Sequence, residues 1–143
     1  MVSKIRIKPT GWIWLCVLIL TLPLPWILGA MGAAIFHELC HILTLSALGI
    51  PIYHLEIGPG GAVLETGSMS REQELLCALA GPLGSFSLFL LRTWCPRLVL
   101  CALVQGVFNL IPLGNLDGRR VLQSAFALLS GKKPCKEGKE RVQ

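Results

Sequence analysis

The sequence predicts an all-α polytopic membrane protein: about four transmembrane helices, a short β-hairpin and a C-terminal helix lying at the membrane interface. Three observations predict it. Of the 143 residues, 53% are hydrophobic and only 15% are charged, and the mean hydropathy is +0.65, far from the balance of soluble domains. The charges are confined, for Glu38 is the only charged residue between Lys8 and Glu56. The net charge of +5 gathers towards the chain ends, where basic side chains orient a membrane protein. With few aromatic residues beside them, these charges give no reason to expect a nucleic-acid partner.

The length suits one membrane-embedded domain, residues 1–143, with a basic N-terminal segment (1–10) and a basic tail (131–143). Lys4, Arg6 and Lys8 precede an apolar run, as in a signal peptide. No small-residue cleavage site follows, so an uncleaved first span is expected. Residues 11–49 are almost wholly apolar, too long for one span of about 20 residues and right for two. "PLPW" at 23–26 is the natural break, because proline inside a helix removes a hydrogen bond and clashes with the preceding turn. The first span is then about 12–22 and the second about 26–48, with Gly49 as C-cap and Pro51 as stop.

In "PIYHLEIGPGGAVLET", Tyr53, Leu55 and Ile57 alternate with His54 and Glu56, the period of a strand. "GPGG" reads as a turn and "AVLET" as the return strand. Ser70 and Gln73 form a capping-box signature ahead of a third span at about 75–91. A fourth runs from about 98 to 111 and ends near Pro112. Beyond it, Val121, Leu122, Ala125, Phe126 and Leu129 share one helical face, flanked by Arg119, Arg120, Lys132 and Lys133, as in an interfacial helix. The tail "KKPCKEGKERVQ" is expected to fray. Four spans put both termini on one side. If that side is cytoplasmic, only Arg92 and Arg97 of the thirteen Lys and Arg residues fall outside, as the positive-inside rule requires. The expectation is an integral protein of the plasma membrane with both termini cytoplasmic.

"HELCH" at 37–41 fits H-E-x-x-H. One helical turn apart, His37 and His41 face the same way and can hold one Zn²⁺, while Glu38 can reach a water at the metal and act as general base. An ionisable group in an apolar span costs at least about 2.5–3.5 kcal/mol, so chance is a poor account of this pattern. The six cysteines (Cys16, Cys40, Cys77, Cys95, Cys101, Cys135) show no C-x-x-C spacing and read as small hydrophobes rather than zinc ligands.

A catalytic zinc takes three protein ligands. The motif does not extend to a third histidine, since Thr44 and Ala47 occupy the positions that the longer form needs. Glu56, Glu65, His54 and Asp117, the only aspartate, remain as sources of the third ligand. The bland reading of Asp117 is a turn residue in Asp-Gly.

H-E-x-x-H in an apolar helix, followed by N-x-x-P-x-x-x-x-D-G in "NLIPLGNLDG" at 109–118, resembles the paired signature of the site-2 protease family, which are intramembrane zinc metalloproteases. "LGIPIYHLEIGPGG" and "ALAGPLGS" look like the hairpin and glycine-proline span of that family. The resemblance covers about residues 26–129, and the compactness is most similar to the branch of the stage IV sporulation protease of FB type. It implies that His37, His41 and Asp117 ligate zinc, that Glu38 is the catalytic base, and that Asn109 matches the motif asparagine. The Asn109 amide could steady the substrate carbonyl or oxyanion, or simply join helices by hydrogen bonding.

The chain departs from the family at Cys40, where a small residue such as glycine is common, and at Arg119, where another glycine often stands. Nothing here is long enough for the PDZ or CBS domain of many relatives, so an adaptor would be a separate membrane protein. The expected substrate is a transmembrane or membrane-tethered protein in the bilayer. Its unwound segment would add as an extra strand along the edge at 52–57. Gly81, Pro82 and Gly84 read as packing positions or as a kink admitting substrate from the side. Two rival readings remain open: a catalytically silent zinc-binding protein that holds transmembrane partners, and a small ion-conducting protein.

Overall fold

The computed structural model describes residues 4–7, 20–58, 61–114, 116–130 and 140–142. Most of the expected first span therefore lies outside the described residues, but its end is seen. Leu20 and Thr21 are helical and the helix stops before Pro23.

The chain restarts as α1 (Leu24–Ala47), with Pro25 in its first turn, where the missing N–H has no helical partner to lose. α1 closes in a Schellman motif. Gly49, at φ 69°, donates its N–H to Ser46 O at 3.1 Å, and Ile50 donates to Leu45 O at 3.0 Å. Ile50 and Leu45 then share one apolar cluster, the contact that accompanies this cap.

The hairpin forms as expected from β2 (Ile52–Gly58) and β3 (Gly61–Thr66), with Leu55 opposite Leu64 and Ile57 opposite Ala62. Two further strands correct the all-α expectation. β1 (Lys4–Ile7) pairs parallel to β2, and β4 (Glu140–Val142) pairs antiparallel to β3, giving one sheet in the order β1-β2-β3-β4. Residues 140–142, expected to fray, thus belong to the sheet. His54 to Ile57 are not a free edge, since Lys4 to Ile7 pair with them. The physical reason is common to both corrections. A hairpin leaves two rows of unpaired backbone N–H and C=O groups, and the short segments Lys4–Ile7 and Glu140–Val142 satisfy them.

α2 (Arg71–Ser87) begins at the expected capping box. Gln73 donates its backbone N–H to Ser70 Oγ at 3.2 Å, and the Ser70 N–H donates to Gln73 Oε1 at 2.9 Å. A 3-10 turn, Leu88–Leu91, extends it. α3 (Pro96–Asn109) and α4 (Asp117–Leu129) follow. α4 starts four residues ahead of Val121, where its apolar face had suggested a beginning. Among the described residues, two helical segments, Leu24–Ala47 and Arg71–Leu91, are long and apolar enough to cross a membrane; α3 is apolar but has only 14 residues.

α1 packs on α2 and α3, and α2 packs on α4. One apolar cluster, built from Leu45, Ile50, Ile52, Leu64, Met69 and Cys77, joins the hairpin to the ends of α1 and α2. A second, built around Ala33, Leu88 and Ala102, ties α1 to α3 further along. Between them lies a polar layer in which His37, His41, Ser85 and Asp117 are at most 3% exposed. The outside is the reverse: Leu24, Leu28, Ile35, Leu43, Leu83, Phe108 and Phe126 are each 59–66% exposed. So many large apolar side chains left in the open are unusual for a soluble monomer.

Candidate metal centre

His37 and His41 project from α1 one turn apart, and their rings meet edge to face with centroids 4.9 Å apart. Asp117 enters from the first turn of α4, the positive end of a helix dipole. Gly118 is what lets it enter, because a Cβ there would overlap the carbonyl of Leu110. The end of α3 and the start of α4 therefore touch backbone to backbone. Asn109, the last residue of α3, reaches the same His37 nitrogen that Asp117 faces.

The partners of the two rings assign their tautomers. His41 Nδ1 lies 2.8 Å from the main-chain oxygen of Cys77, which can only accept, so Nδ1 carries the proton. His37 Nε2 lies 2.9 Å from Asn109 Nδ2, an amide donor. That makes His37 Nε2 an acceptor, and Nδ1 donates to Ser85 Oγ at 2.9 Å. In the neutral rings both Nε2 atoms then present lone pairs, 3.3 Å from each other. Asp117 Oδ2 faces them at 3.1 Å from His37 and 3.3 Å from His41.

Three buried acceptors aimed at one point need a cation between them. A tetrahedral zinc with ligand distances of about 2.0–2.1 Å sets its ligand atoms roughly 3.3 Å apart, and these separations match. Two imidazoles and a carboxylate are also a zinc donor set. Each ring donates its Nδ1 proton to a fixed oxygen, Ser85 Oγ or the Cys77 carbonyl, as zinc histidines do to fix their orientation. Gly81 of α2 keeps the space clear, since a Cβ there would collide with His41 Nε2 and sit 2.6 Å from His37 Nε2. The residues fit the ion.

Among the described residues, His37, His41 and Asp117 are the one group of three or more His, Cys, Asp or Glu side chains arranged to hold a metal. His54 and Glu65, considered from sequence as third ligands, lie on β2 and β3 outside it. The side chain of Glu56 is outside the described residues. Glu38 follows His37 on α1 and is half-buried. Cys40 packs its sulfur against Gly84, so the cysteine for glycine in α1 is matched by a bare backbone in α2.

Sequence reasoning did not find Ser85, the Cys77 carbonyl or the role of Gly81 in clearing the site. For Ser85 a signal existed: it is the first hydroxyl in the apolar run that follows Glu74.

No family model matches the chain. It is 31% identical over 109 residues to a zinc metalloprotease of Methanocaldococcus jannaschii, covering 66% of this chain and 32% of the relative. A candidate zinc metalloprotease of Synechocystis sp. is 34% identical over 129 residues, covering 75% of this chain and 34% of that protein. Among solved structures, the site-2 protease from M. jannaschii matches with a TM-score of 0.71 and 28% identity, over 90% of this chain and 68% of that one. The chain resembles the site-2 protease family in both sequence and fold. It spans about a third of the length of the curated relatives it matches. That stretch contains both halves of the site-2 protease signature, and the fold closes them on each other across 80 residues.

Proposed function

We propose that the chain is a membrane-embedded zinc metalloprotease that hydrolyses peptide bonds of transmembrane or membrane-tethered proteins. The observation that carries this reading is the convergence of two Nδ1-protonated imidazoles and one carboxylate oxygen at zinc-ligand spacing. The names of the relatives support zinc and proteolysis. The reversed surface, apolar outside and polar at the centre, supports residence in a bilayer. Both ends of the chain join the same sheet as the hairpin, which supports placing both termini on one side of the membrane. The positive-inside rule makes that side cytoplasmic.

In this reading His37, His41 and Asp117 hold the zinc. When bound, the ion supplies Lewis acidity, acidifying water towards a pKa of about 7 and polarising a carbonyl. Glu38 accepts the proton of the attacking water and delivers it to the leaving amine nitrogen. The Asn109 amide, already aimed at the ring nitrogen that faces the site, donates a hydrogen bond to the substrate carbonyl oxygen as it gains charge. Ser85 and the Cys77 carbonyl keep both histidines in the tautomer that ligates.

The test is cleavage of a model transmembrane substrate by the full chain in reconstituted vesicles. Cleavage is expected to stop on chelation and return with stoichiometric zinc. Cleavage that survives complete metal removal would overturn the proposal.

A further inference from the structure

One turn beyond Asp117 on α4 stands Arg120, a buried cation that the mechanism above does not use. It is 9% exposed, and its Nη2 lies 3.6 Å from Glu74 Oε1 of α2. Glu74 in turn receives Arg71 Nη1 on Oε2 at 2.8 Å. Among the described residues, Arg120 Nη1 is buried with no hydrogen-bond partner, and so is Asp117 Oδ1. These two orphan atoms are complementary. One is a cationic donor and the other an anionic acceptor, and residues three apart on a helix are neighbours on its surface. Asp117 presents Oδ2 to the histidines, so Oδ1 is the oxygen left for a second partner. Carboxylates that ligate metals are themselves hydrogen-bonded.

We propose that Arg120 is the positioning residue of the third ligand: its guanidinium, braced by Glu74, serves Asp117 Oδ1 through one bridging water and so holds Oδ2 towards the histidine pair. The inference rests on the zinc reading of the site. It makes α2 contribute three times to the centre, through Ser85 on His37, the Cys77 carbonyl on His41 and Glu74 on Arg120.

The experiment is a double-mutant cycle on the full chain in detergent, with zinc affinity read by competition against a chromophoric chelator. Arg120→Met is expected to weaken zinc by about 10–100-fold, the usual cost of an outer-shell partner. Arg120→Lys keeps the charge and is expected to fall between that variant and the wild type. In an Asp117→Asn background the Oδ1 acceptor can become an amide donor, and there Arg120→Met is expected to change affinity by less than about twofold. Equal losses in both backgrounds would assign Arg120 to bracing the fold and overturn the inference. Wild-type affinity in Arg120→Met would overturn it too. If Arg120→Met does not fold, Arg120→Lys and Arg120→Gln carry the same comparison. A wild-type chain that binds no zinc would instead overturn the proposed function, and this inference with it.

Discussion

His41 commits its Nδ1 proton to the main-chain carbonyl of Cys77, 2.8 Å away on α2. A carbonyl cannot be mutated away, so the ring keeps its ligating tautomer whatever side chain stands at position 77. His37 is different, because its Nδ1 partner is the hydroxyl of Ser85 at 2.9 Å. Ser85→Ala is therefore expected to weaken zinc by about 10–100-fold, while Cys77→Ala, which removes only the thiol, leaves affinity near wild type. Chelator competition on the two purified variants checks this asymmetry. Equal affinities would remove Ser85 from the site.

Glu38→Gln separates binding from chemistry. Glutamine keeps the size of the side chain but cannot accept the proton. Metal content is expected to stay at one zinc per chain, while turnover falls by about 10²–10⁴-fold, the contribution of a positioned general base. Parallel metal analysis and cleavage assays read both halves. Undiminished cleavage would give the role of base to another group.

Asn109→Ala is expected to lower kcat by about 10²–10³-fold, as loss of an oxyanion donor does, with zinc retained. The split between kcat and metal content is the informative readout. If turnover is unchanged, the Asn109 amide only joins α3 to α1 through His37.

Gly81→Ala places a methyl group between the imidazoles. Zinc binding is expected to be lost, and forcing the helices apart should cost stability in the 1–3 kcal/mol range of overpacked cores. Gly84→Ala meets Cys40 Sγ instead of the site, so zinc is expected to stay bound, and Cys40→Ala is expected to relieve the clash and restore stability. Metal content and thermal unfolding of the three variants test the difference.

Much of this centre was legible in the sequence because its determinants are local. His37, Glu38 and His41 share one helical turn, the Ser70–Gln73 cap sits within four residues, and the Pro23 break and the Gly49 cap are each set by neighbours in the chain. Asp117 was nameable as a candidate third ligand through the paired motif, yet spacing alone left Glu56, Glu65 and His54 beside it. What stayed hidden is non-local. The pairing of Lys4 to Ile7 with His54 to Ile57 joins four residues to a strand some fifty positions away, and so short a segment carries no periodic signal of its own. The clearance at Gly81 depends on how closely α1 approaches α2. The Glu74–Arg120 pair joins α2 to α4, and no local pattern in the sequence announces a contact between two helices. On α4 the visible apolar face is the exposed one, and the buried face is made of Asp117, Gly118, Arg120 and Ser124.

The most direct test of the centre is X-ray absorption at the zinc edge of the full chain loaded with one equivalent of metal. A single shell of nitrogen and oxygen at about 2.0–2.1 Å, with the outer scattering of two imidazoles and no sulfur, is the predicted spectrum. A zinc–sulfur distance near 2.3 Å, or the scattering of one imidazole only, would contradict a site built from His37, His41 and Asp117.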